Sequence, residues 1–161
     1  MADIKFEDYS FKVKDAIKDA LCAGLEEAAG ELESQVKRNS RVGTTRETGN
    51  SFKHRVVDAE YTAYVGSDEE NAIWEEFGTG EYAITENGGK GGRKTPWYVP
   101  VDSYIGKKKP TYNGKVVVVY GKNKKKYYKT NGKKPSRAFW NTYTSQKASI
   151  INLIQNKLKG L

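Results

Sequence analysis

Apolar residues recur at three- and four-residue intervals along residues 11–39. Val13, Ala16, Ile17, Ala20, Leu21, Leu25, Ala28, Leu32 and Val36 form the series, with charged residues between them. That spacing collects them on one side of a helix and predicts a long amphipathic one. Asp8 and Ser10 stand just ahead of it as caps. Gly24 and Gly30 each weaken it by roughly 1 kcal/mol relative to Ala, so its packed face must supply the stability. Glu33 and Lys37 have the favourable i,i+4 order. Asn39-Ser40 marks the stop, and a polar loop follows over residues 41–50.

The period then changes to two. In "SFKHRVV" (51–57) Phe52, His54 and Val56 alternate with Lys53 and Arg55, and in "EYTAYVGS" (60–67) Tyr61, Ala63 and Val65 share a face. Asp58-Ala59 between them predicts a hairpin. Residues 68–77 read as a short helix with Ile73, Trp74 and Phe77 on its core side, and Asp68-Glu69-Glu70 place negative charge at its start. Residues 81–95 hold two glycine pairs among Lys and Arg, cannot bury much and predict a mobile loop. "PWYVPV" (96–101), "KVVVVYG" (115–121) and "KKYYKT" (125–130) read as strands, the last two joined as a basic hairpin. Val116, Val117, Val118 and Val119 are apolar on both faces, which suits a covered strand or a sheet edge that a neighbour could pair with. A second amphipathic helix over 139–158 closes the chain. The order predicts one α+β domain over 1–161, with a long N-terminal and a C-terminal helix packed on an antiparallel β-sheet and a Gly/Lys-rich excursion at about 88–134.

Charge changes the picture. Residues 1–89 carry 10 basic and 19 acidic side chains, a net of −9, whereas residues 90–161 carry 18 basic and one acidic, a net of +17. The net +8 of the 161 residues conceals this split. Such asymmetry points to a charged partner: a polyanion, or a second copy whose acidic part meets the basic part of the first. A solvated lysine-rich excursion is the plain alternative. Lys107, Lys108, Lys109, Lys124, Lys125, Lys126, Lys133 and Lys134 are interleaved with Tyr104, Tyr112, Tyr120, Tyr127 and Tyr128, a mixture that grips phosphates and stacks bases. Lysine far outnumbers arginine here, so contact with DNA would be backbone-only and salt-sensitive.

Candidate chemistry is thin. His54, the sole histidine, has no Cys or carboxylate at ligand spacing and reads as structural. Cys22 has Asp19 and Glu26 about a turn away, and negative neighbours raise a thiol pKa. One cysteine forms no internal disulfide, and no apolar run has the length of a signal peptide or a membrane span, so a reducing cytoplasm is expected. Glu75 and Glu76 are adjacent, point about 100° apart on a helix, and do not face one another as an acid/base pair. At least one of them is expected to meet solvent or a basic partner. Gly78-Thr79-Gly80 lacks the lysine and spacing of a phosphate loop and reads as a helix C-cap needing positive φ. No metal, cofactor or catalytic residue is expected, and the chain is read as not an enzyme.

Three fragments in order carry a resemblance. They are "TRETGNSFKHRV" (45–56), "YVGSDEENAIWEEFGTG" (64–80) and "GKKPSRAFWNTY" (132–143). Together they resemble the tail-completion, or head–tail joining, family of tailed bacteriophages and prophages. The signature positions are Trp74, Phe77, Gly78, Thr79, Gly80, Pro135, Arg137 and Phe139, with Glu76-Phe77-Gly78-Thr79-Gly80 the most specific. The long basic excursion departs from the family pattern, and Trp74 stands where a smaller aromatic is common.

The resemblance implies a non-enzymatic virion component at the head–tail junction, assembled in the host bacterial cytoplasm. It implies a homo-oligomeric ring, six-fold in the family, between a connector or adaptor protein and a tail-tube or tail-terminator protein, with DNA passing through the lumen. On that reading Glu75, Glu76 and the four valines are intersubunit or partner contacts, and the lysine runs face DNA or a partner. A stand-alone basic nucleic-acid-binding protein is the alternative.

Overall fold

A computed structural model describes residues 8–40, 47–103, 117–120 and 125–160. Four helices and five strands are present among them: α1 (Ser10–Asn39), α2 (Glu47–Asn50), β1 (Phe52–Val57), β2 (Thr62–Ser67), α3 (Glu70–Phe77), β3 (Trp97–Pro100), β4 (Val117–Tyr120), β5 (Lys126–Thr130) and α4 (Ala138–Lys159). The strands form two antiparallel sheets, β1-β2 and β3-β5-β4. The class is α+β.

The 30 residues of α1 form the spine. The Asp8 carboxylate accepts the Ser10 N–H at 2.9 Å at its start and is held below the usual carboxylate range by that bond. At its end the Ser40 N–H and hydroxyl both donate to the Val36 carbonyl, at 2.8 and 2.7 Å, satisfying an orphan acceptor of the last turn. α4 lies antiparallel on α1: Asn39 bonds Thr142 at 3.0 Å, and Lys157 reaches Glu27 at 2.8 Å. Gly24 explains the close approach, since a Cβ there would stand 3.1 Å from the Ile154 Cα. Its helix-weakening cost thus permits helix–helix contact. Gly30 likewise leaves its side open to the His54 ring, 3.6 Å from where a Cβ would be.

The core is small. Leu32 and Val36 of α1, Phe52 of β1 and Ala72 of α3 form it, with Val65, Phe139 and Ile150 packed against them. Phe52 and Phe139 stack with centroids 6.1 Å apart. The hairpin pairs Phe52 with Ser67 through Val57 with Thr62, as the alternation predicts, and Tyr61 turns the chain in the left-handed region at φ 48°.

One expectation is corrected and one is refined. Ile73 and Trp74 do not anchor the core; they are 60% and 50% exposed, and Ala72 is the buried residue of α3. The small side chain lets α3 lie close to Phe52, and that orientation turns the bulky pair outward. Residues 81–95 hold no buried residue, as expected, yet their backbone is tied down. The Ile84 N–H donates to the Phe77 carbonyl at 3.0 Å, and the Gly91 N–H to the Ile84 carbonyl at 3.1 Å. Gly89 and Gly92 lie so near Ile84 and Gly80 that a Cβ would stand 2.2 and 2.3 Å from their carbonyl oxygens. These glycines serve close backbone packing.

Candidate functional site

Two signature fragments, more than fifty positions apart in sequence, meet in one junction. The Thr79 N–H donates to the Lys133 carbonyl at 2.9 Å. The Lys133 N–H returns to Thr79, at 3.3 Å from its carbonyl and 2.9 Å from its hydroxyl. The Glu81 N–H donates to the Asn131 carbonyl at 3.0 Å, and the Asn131 amide to the Glu81 carboxylate at 2.9 Å. Side chains have no room between these backbones. A Cβ on Gly80 would stand 1.9 Å from the Asn131 carbonyl oxygen, and one on Gly132 would stand 2.0 Å from that of Thr79. Gly78, Gly80 and Gly132 have φ of 76°, 64° and 120°, in the region where glycine is favoured. Gly78-Thr79-Gly80 is therefore a helix end, as read from sequence, and also a docking strip for residues 131–133.

Both glutamates of α3 are engaged within the chain. The Glu75 carboxylate pairs with the Lys133 ammonium. Its carbonyl accepts the Ser136 N–H at 2.7 Å and the Ser136 hydroxyl at 2.9 Å. Glu75 Oε2 is buried with no hydrogen-bond partner among the described residues. Glu75 also lines a cavity of about 10 Å³ with Ser40, Phe52 and Ser136, room for about one water. Glu76 accepts the Phe139 and Trp140 N–H groups, each at 2.9 Å, one with each carboxylate oxygen. These are orphan donors at the N-terminus of α4, where a carboxylate also complements the helix dipole. The expectation that at least one of the two meets a basic partner is met within the chain, by Glu75 and Lys133; Glu76 caps α4 instead, and Lys133 is a partner of Glu75 instead of a DNA-facing cation.

The remaining signature residues support this junction. Pro135 packs on Gly78, where a Cβ would stand 2.8 Å from its Cδ. Arg137 precedes α4 in the left-handed region at φ 54°, with its guanidinium 5.4 Å from the Trp140 ring centre and 3.9 Å from Glu86. Phe139 enters the core, Phe77 is half-buried and Trp74 faces outward. Ser136, Asn131 and Gly92 belong here too, and local spacing does not single them out. The Gly-rich context of residues 88–92 and 132 was the available signal.

The basic part is built differently. β5 is central, with β3 and β4 on its two sides. Val117, Val118 and Val119 lie in β4 at the sheet edge, paired with Lys129, Tyr128 and Tyr127. Register puts Tyr98 and Lys129 beside one another, with Tyr127 two residues along the same face. Lys125, Lys126 and Lys134 are exposed. Val116, Lys107, Lys108, Lys109 and Lys124 lie outside the described residues.

His54 has partners that only the fold brings. Its Nδ1 is 2.5 Å from Glu33 and its Nε2 3.0 Å from Glu26. The bonds to Glu33 and then Glu26 raise the imidazole pKa above its ordinary value. Glu33 is lowered, chiefly by its bond to Lys37 and then by His54. Cys22 is raised by burial and then by Asp58 and Asp19, the direction expected from its sequence neighbours. Among the described residues no group of three or more His, Cys, Asp or Glu is arranged to hold a metal, and no helix is long and apolar enough to cross a membrane.

No protein-family model matches this sequence, and no curated protein or solved structure is significantly similar to it.

Proposed function

We propose that the chain is a structural assembly protein of a tailed-phage virion, forming a ring at the head–tail junction between a connector and the tail tube, with DNA passing through. The observation that carries this reading is the junction itself. The two fragments that most resemble the tail-completion family, residues 76–80 and 132–139, form one tightly packed unit joining α3 to α4. Such a unit holds helices at a fixed angle. The split between an acidic first part and a basic second part adds support, because a head-to-tail ring needs two different complementary surfaces on each copy. The test is mass measurement in solution, of the protein alone and then with connector and tail-tube proteins. Ring-sized species are expected, and a compact monomer in every mixture overturns the reading.

A second reading has its own observation. The Tyr98, Tyr127 and Lys129 face, within a region of net +17, is suited to a sugar–phosphate backbone. A nucleic-acid-binding monomer would bind duplex DNA with log K falling as log salt rises. Absence of a mobility shift at low salt removes it.

A further inference from the structure

Among the described residues, the first third of α1 projects beyond the other elements. α4 crosses α1 where Gly24 meets Ile154 and Lys157, and α4 ends at Lys159. Every residue of α1 from Ser10 to Asp19 is exposed. Those ten residues span about 15 Å and continue a helix whose remaining turns are packed. They are not polar throughout. Phe11, Val13 and Ile17 are 75%, 56% and 45% exposed. Val13 and Ile17 continue the four-residue row of Leu21, Leu25 and Ala29, whose members are half-buried or buried. The row that seats α1 in its own fold therefore runs on uncovered.

A second apolar patch lies at the other end. Ile73 and Trp74 of α3 are exposed, as are Trp140 (39%) and Tyr143 (37%) of α4, whose rings lie 6.3 Å apart. Glu76, three residues after Ile73, holds the Trp140 N–H and so ties the two elements together. This end sits beside Val36, because Val36, Ala72 and Phe139 share the core. Phe11 lies 25 residues before Val36 on one helix, about 38 Å away. The two patches cannot cover one another within a chain.

Their charges are complementary. The projecting turns carry three cations, Lys12, Lys14 and Lys18, against two anions, Asp15 and Asp19. In residues 68–77 Asp68 is 3.5 Å from Lys53, Glu75 pairs with Lys133 and Glu76 caps α4, which leaves Glu69 and Glu70 as the anions open to a second copy. We propose that the projecting N-terminal turns of α1 dock on the α3–α4 aromatic end of a second copy, Val13 and Ile17 against Trp74 and Trp140, with the lysines beside Glu69 and Glu70. Different patches at opposite ends define a heterologous, head-to-tail contact, which propagates into a ring or an open chain. The inference supplies an interface for the ring proposed above and rests on that reading for closure.

The experiment uses two full-length variants at exposed positions, Ile17→Asp and Trp74→Asp, each checked for wild-type helicity by circular dichroism. Masses are measured separately and after mixing. The wild type is expected to form multimers and each variant to be monomeric. The equimolar mixture is expected to stop at a dimer, because each variant retains one intact patch and only one productive pairing exists. Wild-type-sized multimers from either variant overturn this interface and leave the ring standing on another surface. Monomeric variants that also stay monomeric when mixed overturn the head-to-tail geometry. Open chains of wild type that both variants abolish support the interface and overturn the ring. A monomeric wild type in all partner mixtures overturns both.

Discussion

Glu76 and Trp140 are sixty-four positions apart, and the carboxylate of one accepts the backbone N–H of the other at 2.9 Å. With the matching bond to Phe139, α4 receives its N-terminal cap from α3. The first turn of α4 has no acidic residue and no side-chain cap from its own N-cap residue, Arg137.

Glu76→Gln is therefore expected to destabilise the monomer by about 1–2 kcal/mol, a typical cap loss. Glu76→Lys costs more, because it puts a cation at the positive end of the helix. Urea denaturation reads the loss, and faster amide exchange at Phe139 and Trp140 locates it. Unchanged midpoints for both variants would reduce these bonds to incidental contacts.

Two glycines should respond with opposite signs. Gly80→Ala adds a Cβ where only 1.9 Å separates it from the Asn131 carbonyl oxygen, at φ +64°. A loss of about 3 kcal/mol or more, or failure to fold, is expected. At Gly66 in β2 a Cβ would meet nothing within 4 Å, and φ is not positive, so Gly66→Ala is expected to stabilise by about 0.5 kcal/mol through the unfolded chain. Thermal unfolding of the two purified variants makes the comparison.

The His54–Glu33 pair sets a pH dependence. His54 is raised above 6.5 in the folded chain, so its contribution is complete below pH 6.5 and is lost as pH rises through the folded value. Glu33 is lowered below 4.5, so its contribution is complete above pH 4.5 and is lost as pH falls through the folded value. The pair stabilises most between those limits. Wild-type urea midpoints should decline on the alkaline side of that window, and His54→Gln should flatten this decline. An identical profile for the variant would assign the decline to other groups.

Cys22 should be a slow thiol. Burial and the neighbouring Asp58 and Asp19 carboxylates hold its pKa up. Its reaction with an aromatic disulfide near neutral pH is expected to run more slowly than that of free cysteine. Stopped-flow absorbance measures both rates, and a rate matching free cysteine would contradict the assigned surroundings.

What could be read from sequence divides by range. α1 was legible because thirty residues give a 3.6-residue period many repeats, and the β1-β2 hairpin because alternation is local. α3 was legible as a helix but not in its orientation. Eight residues hold barely two turns, and hydrophobicity alone does not distinguish a face that meets the core from one that meets a partner, so Ala72 was passed over for Ile73 and Trp74. The partners of Glu76, Lys133 and His54 are hidden from sequence for another reason. Each acts through a partner brought near by the fold, and local spacing carries no trace of that. The glycines of 78–80 did announce themselves, although which backbone would lie against them was not visible.

The close approach of Gly92 to Gly80 and the hydrogen bonds of residues 131–133 reach beyond stability. They clamp both ends of the intervening chain to the same few backbone atoms of Gly78-Thr79-Gly80 and Glu81. What lies between is then a cassette with fixed sockets. Doubling the length of a flexible loop costs only about 0.6 kcal/mol in closure entropy, so inserts of different length and charge can be exchanged there while the helical body keeps its geometry. Selection for new partners could act on the cassette alone.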